Sequence, residues 1–131
     1  MGFKFSDESK IKLEQCDRRL QLLFNVVINF IDIKILTGHR TEADQTKAFV
    51  KNLTTKRFPE SKHNSIPSLA IDIAPCPVNW HDTERFYYLA GFVLGVSKML
   101  QIPLAWGGDW DRDNNFKDQT FNDLVHFEIL S

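Results

Sequence analysis

Ala70-Ile71-Asp72-Ile73-Ala74-Pro75 and Asp123-Leu124-Val125-His126-Phe127-Glu128 decide how this chain folds and what it can do. Successive strand side chains point to opposite faces. In the first stretch Ile71 and Ile73 therefore share a core face, and Asp72 stands on the other between Ala70 and Ala74. The small neighbours leave room around the carboxylate. In the second, Val125, Phe127 and Ile129 share one face, and His126 and Glu128 share the opposite one. Each strand raises polar groups from an otherwise apolar run.

A third polar segment, Ser61-Lys62-His63, places a histidine nine positions before Asp72. Two histidines and one carboxylate (His63, Asp72 and His126) can hold a divalent metal and leave a position open for water. With neutral imidazoles, a zinc site of this kind keeps a net charge of about +1. That charge can bring the pKa of bound water from 15.7 to about 7. Asp123, three residues before His126, is the candidate base for such a water. Glu128 shares a face with His126. It is either a rival base or an acceptor that orients a ligand.

Outward from these strands, Leu13, Cys16, Leu20, Leu23, Val27 and Phe30 recur at three- and four-residue steps and predict one helix over 9–31. Ile33 to Thr37 reads as a strand ended by Gly38. Thr41 is a candidate cap for a helix over about 42–53. Residues 54–69 read as a loop, with Pro59 and Pro67. A helix from about His81 to Leu100 carries a stripe of Phe86, Leu89, Ala90, Val93, Ser97 and Leu100. Leu104 to Trp106 predicts a strand, 109–120 a polar loop, and 124–130 a closing strand. This order lacks the alternation of a doubly wound fold. It predicts an α+β domain with a small, mainly antiparallel sheet packed against helices.

The 131 residues fit a single domain, 1–131. A net charge of −1 argues against nucleic acid as the main partner. No apolar run reaches the roughly 18 residues of a membrane span, so stable membrane association is not expected. The N-terminal residues have no signal-peptide core. Cys16 and Cys76 are expected to be free thiols, which suits a reducing compartment. Asp109-x-Asp111-x-Asp113 resembles the start of a calcium loop, but Asn114 and Thr120 stand where that loop needs glycine and glutamate. Trp80, Trp106 and Trp110 are candidates for a substrate groove, with at least two of them expected as packing residues.

These segments together resemble the M15 zinc metallopeptidases. That family includes D-alanyl-D-alanine carboxypeptidases and dipeptidases of the VanY and VanX type, and phage L-alanyl-D-glutamate peptidase endolysins. Ser61-Lys62-His63, Ala70-Ile71-Asp72 and Asp123-Leu124-Val125-His126 match its Ser-x-His, Ala-x-Asp and acidic-x-x-His segments. Thr37-Gly38-His39-Arg40-Thr41 is similar to a Gly-Tyr-Arg-Ser segment, and Gln45 sits where a glutamine is usual. Trp106-Gly107-Gly108-Asp109-Trp110 also looks like a family segment. The histidine-to-aspartate spacing is longer here than usual, and the common glycine between them is absent.

The resemblance implies a Hedgehog/D,D-peptidase-like zinc peptidase fold. It implies Zn2+ on His63, Asp72 and His126, Asp123 as general base, and Arg40 on the substrate carbonyl or carboxylate. The implied substrate is the peptidoglycan stem peptide, cut at L-alanyl-D-glutamate through a zinc-bound water. The implied setting is a phage endolysin, expected to be a monomer. It would be made in the host bacterial cytoplasm and reach the cell wall after membrane permeabilisation. Two other readings stay open at this point: a D-alanyl-D-alanine carboxypeptidase, and a non-catalytic wall-binding or virion module.

Overall fold

The structure is a computed structural model that describes residues 2–115, 117 and 123–130. In chain order the elements are α1 (Asp7–Glu14), α2 (Arg18–Val27), β1 (Ile33–Thr37), α3 (Glu42–Val50), β2 (Ala70–Pro75), α4 (Thr83–Met99), β3 (Leu104–Gly107) and β4 (Asp123–Ile129). A single 3-10 turn, Lys62–Asn64, interrupts the loop before β2. Among the described residues the sheet has the order β1-β2-β4-β3, and each neighbouring pair is antiparallel. The expected α+β class is what forms.

The single helix expected over 9–31 is two helices. The break falls at Cys16-Asp17, where chemistry overrides periodicity. Asp17 turns its carboxylate onto the Arg19 N–H at 2.9 Å and starts α2 as an N-cap. The backbone at the break pairs instead with the segment entering β2. Ser68 N donates to Gln15 O at 2.9 Å, and Asp17 N donates to Ser68 O at 2.8 Å. α1 starts at Asp7, earlier than expected, because the Ser6 side chain accepts from Ser9 N. Phe30, assigned to the core stripe, lies beyond the end of α2 and is 64% exposed, resting against Phe92. α3 ends at Val50, earlier than expected, and α4 starts at Thr83, so His81 lies outside it.

One face of the sheet carries the core. Ile33, Ile35, Ile71, Ile73, Phe127 and Ile129 pack against Leu20, Leu23, Phe24 and Val27 of α2 and Leu89 and Val93 of α4. Phe24 meets Phe127 edge-on at 6.0 Å between ring centroids. The core side chains of β2, and Phe127 and Ile129 of β4, are those that strand alternation assigned. Val125, expected on the same face, is not in the core, and Leu124 packs against it instead, next to a register shift in the β3/β4 pairing. The opposite face of β2 is also buried, including Ala70, Asp72 and Ala74. A buried face that bears a carboxylate needs partners for it.

Candidate metal centre and active-site cleft

Register sets the centre. Asp72 pairs directly with His126 across β2 and β4, and with Thr37 across β1 and β2. His63 arrives on the 3-10 turn. Ser61 caps that turn with its side chain accepting from His63 N, while Asn64 Oδ1 accepts from Ser61 N at 3.1 Å. This reciprocal cap fixes where a loop residue points. Arg40 N then donates to His63 O at 2.8 Å, tying the turn to the end of β1.

Three donor atoms converge. His63 Nε2 lies 3.2 Å from Asp72 Oδ1 and 3.3 Å from His126 Nδ1, and His126 Nδ1 lies 3.1 Å from Asp72 Oδ1. All three residues are buried. Donors on a tetrahedral zinc with bonds of about 2.0–2.2 Å stand roughly 3.3 Å apart. The outer ring nitrogens are already engaged. His63 Nδ1 is 2.8 Å from Gly38 O, a carbonyl that can only accept, so Nδ1 carries the proton. His126 Nε2 is 2.8 Å from Glu128 Oε1. With those protons outward, both inner nitrogens can turn lone pairs toward a shared point beside a carboxylate once His126 gives up its second proton. Two lone pairs and an anion repel one another unless a cation or proton lies among them. The donor set therefore fits a divalent metal, held by His63, Asp72 and His126.

The charges follow. Burial alone would raise the Asp72 pKa, but hydrogen bonds and charge from His126 and His63 hold it well below the usual carboxylate range. Burial alone would lower His126, yet its bonds to Asp72 and Glu128, with the charges of Asp72 and Asp123, raise it to about 9. Burial raises Asp123, and the charge of Asp72 adds to this against His126, His63 and Arg40. Burial also raises Glu128, but His126, Lys62 and Lys56 outweigh it and lower the carboxyl.

A cleft opens over this floor, lined by Arg40, Leu53 to Lys56, Ser61, His63, Trp110, Asp123 and His126. Arg40 places Nη2 3.6 Å from Asp72 Oδ2, and its Nη1 donates to Gln45 Oε1 at 3.1 Å. Glu128 turns away from the cleft, with Oε2 3.4 Å from Lys62 Nζ. The structure thus brings together His63, Asp72, His126, Asp123 and Arg40. It sets Glu128 behind His126. Of the tryptophans, only Trp110 lines the cleft, 5.5 Å from the His126 ring; Trp106 is core, and Trp80 stacks on Phe86.

Some participants carried no chemical signal in the sequence. Gln45, fully buried, was noted only by family position, yet it bonds both Arg40 and Lys56 O. The Gly38 carbonyl and Lys62 were not singled out as partners of the site. Asp109, Asp111 and Asp113 do come together, but the Asp109 carboxylate accepts from Asp113 N and Asn114 N and so shapes its own loop. Thr120, with residues 116, 118 and 119 of the polar loop expected over 109–120, lies outside the described residues. Cys16 and Cys76 are free thiols, and burial first, then Asp17 and Asp72, push Cys16 up to about 12.

An α+β domain with two histidines and a carboxylate at the floor of a cleft has the form of a metal-dependent hydrolase. Comparison makes the class specific: residues 1–130 match the family model of phage L-alanyl-D-glutamate peptidase, and the chain belongs to that family. It is a peptidase by that membership. It is 28% identical over 124 residues to the L-alanyl-D-glutamate peptidase of Escherichia phage T5, covering 91% of this chain and 90% of that protein. The fold matches the crystal structure of the Serratia marcescens L-Ala D-Glu endopeptidase ChiX with a TM-score of 0.77. That match has 19% identity and covers 97% of this chain and 90% of that one.

Proposed function

We propose that this protein is a zinc-dependent phage endolysin that hydrolyses the L-alanyl-D-glutamate bond of the peptidoglycan stem peptide. The observation that carries the reading is the convergence of His63 Nε2, Asp72 Oδ1 and His126 Nδ1 within 3.1–3.3 Å of one another, at the floor of an open cleft. The family match and the activity named for the phage T5 relative support the choice of bond. Residues 1–131 act as one catalytic domain.

Zinc held by these three side chains would supply Lewis acidity to the scissile carbonyl and to the attacking water. The chain's own groups do the rest. Asp123, whose pKa burial raises, takes a proton from water as the water oxygen bonds to the alanyl carbonyl carbon. It returns that proton to the glutamyl nitrogen as the C–N bond breaks, leaving an alanyl carboxylate and a free glutamyl amine. Arg40 donates to the oxygen on which negative charge grows, and Gln45 holds its guanidinium in place. Glu128 fixes the tautomer and orientation of His126.

Among the described residues no helix is long and apolar enough to cross a membrane. We read the enzyme as acting from the host cytoplasm, reaching the wall once the membrane has been permeabilised. The test is mass spectrometry of peptidoglycan fragments after digestion by the purified, zinc-loaded protein. New N-terminal glutamate supports the reading. Release of D-alanine alone would assign a D,D-carboxypeptidase instead.

A further inference from the structure

The cleft has a cationic wall that the steps above leave partly unused. Lys56 lines it beside Arg40, at the end of the segment Leu53 to Lys56. Its side chain is exposed, and among the described residues no hydrogen bond or salt bridge engages its ammonium. Lys62, by contrast, is tied to Glu128 and to Ile129 O. The backbone of Lys56 is held firmly: its N–H donates to Thr54 Oγ1 at 3.1 Å, and its carbonyl accepts from Gln45 Nε2 at 2.6 Å. The same buried Gln45 accepts from Arg40 Nη1 at 3.1 Å and from Asn64 Nδ2 at 3.2 Å. One fully buried side chain thus fixes the spacing between the Arg40 guanidinium and the Lys56 backbone. A buried amide with this many partners positions what it touches.

The substrate class supplies a matching group. A glutamyl residue acylated on its nitrogen and extended through one of its carboxyls keeps the other as a free carboxylate. We propose that Lys56 is a specificity-determining residue that reads this free carboxylate on the leaving side of the scissile bond, with Gln45 setting its spacing from Arg40. A flexible ammonium suits the task, because it can follow a carboxylate on either side of the chain without a fixed fork. This inference rests on the reading of the protein as an L-alanyl-D-glutamate peptidase.

The test uses two stem peptides that differ in one group. One carries the free carboxylate on the glutamyl residue, and the other carries the corresponding carboxamide. The zinc-loaded parent, Lys56→Met and Lys56→Arg are compared by kcat/KM on both. The parent is expected to favour the carboxylate peptide by about tenfold, the scale of one charge-assisted hydrogen bond. Lys56→Met is expected to bring that ratio close to one, chiefly through KM, and Lys56→Arg to retain most of it. Equal losses on both peptides in Lys56→Met, with the ratio unchanged, would overturn the proposal. A parent that shows no preference would overturn it too, while leaving the cleavage reading intact. A parent that cuts neither peptide, yet binds zinc, would overturn that reading and this inference with it.

Discussion

Glu128 Oε1 sits 2.8 Å from His126 Nε2, on the side of the imidazole away from the convergent donor atoms. The carboxylate that strand alternation placed on the same face as His126 therefore lies behind the ligand and not over the cleft. Its second oxygen faces Lys62. Asp123, in contrast, lines the cleft itself. On the proposed mechanism the two carboxylates divide between orienting a ligand and moving a proton.

Paired amide substitutions separate these roles. Asp123→Asn keeps zinc at near-parental occupancy and loses about 10²–10⁴ in rate, the usual scale for a missing general base. Glu128→Gln weakens zinc binding by about 10–100-fold and recovers much of its rate when zinc is supplied in excess. Zinc content and wall hydrolysis are measured on both. A dead Glu128→Gln at full zinc occupancy, beside an active Asp123→Asn, would reverse the assignment.

His63→Ala and His126→Ala each remove one of the three donors. Metal analysis after dialysis is expected to show strong loss of zinc in both. Full retention in both variants would remove the metal assignment altogether.

Arg40→Lys keeps the charge and loses the planar fork that reaches Gln45 on one side and Asp72 on the other. Rate is expected to fall by about 10²–10³, with zinc content and thermal stability near the parent's. Parental activity in Arg40→Lys would reduce Arg40 to a side chain at the edge of the cleft.

Much of this centre was legible from local rules. Alternation along 70–75 and 123–129 placed Asp72 and His126 on the face away from Ile71, Ile73 and Phe127, and the register then set them opposite each other. What alternation does not encode is long-range partnering of main-chain groups. The Gly38 carbonyl that accepts from His63 Nδ1, and the Gln45 link between Arg40 and Lys56 O, depend on loops meeting in space. The helix break at Cys16 had a local clue in the capping power of Asp17. The apolar steps of three and four run straight through it, so periodicity alone predicts one continuous helix. Phe30 continued that same rhythm past the real end of α2.

Gly38→Ala tests one of those hidden partners. A Cβ at this position would clash with the Lys12 carbonyl, where α1 approaches the end of β1. The displaced backbone would carry with it the carbonyl that holds His63 Nδ1. The variant is expected to lose about 1–3 kcal/mol of stability, the range for overpacking, and to bind zinc more weakly. Parental melting temperature and zinc affinity together would show that the contact relaxes at no consequence.

Proton release on metal binding reports the state of the donor cluster. The bonds of His126 to Asp72 and Glu128 raise it to about 9 against an ordinary value of 6.5, so the metal-free protein is expected to hold it protonated at pH 7.5, with one ring nitrogen toward each carboxylate. Zinc requires the lone pair on Nδ1, so its uptake must expel that proton. Titration calorimetry at pH 7.5 in buffers of different ionisation enthalpy is expected to show about one proton released from this site. Apparent zinc affinity should rise about tenfold per pH unit up to about pH 9 and then level off. The sign for stability runs the other way. A raised histidine pKa stabilises the metal-free fold fully below 6.5, and that contribution fades as pH climbs through about 9. Zinc-loaded protein, with the proton already gone, should lack that decline. Buffer-independent binding heats at pH 7.5 would mean that His126 is neutral before the metal arrives, and that its bonds to Asp72 and Glu128 do not hold a proton there.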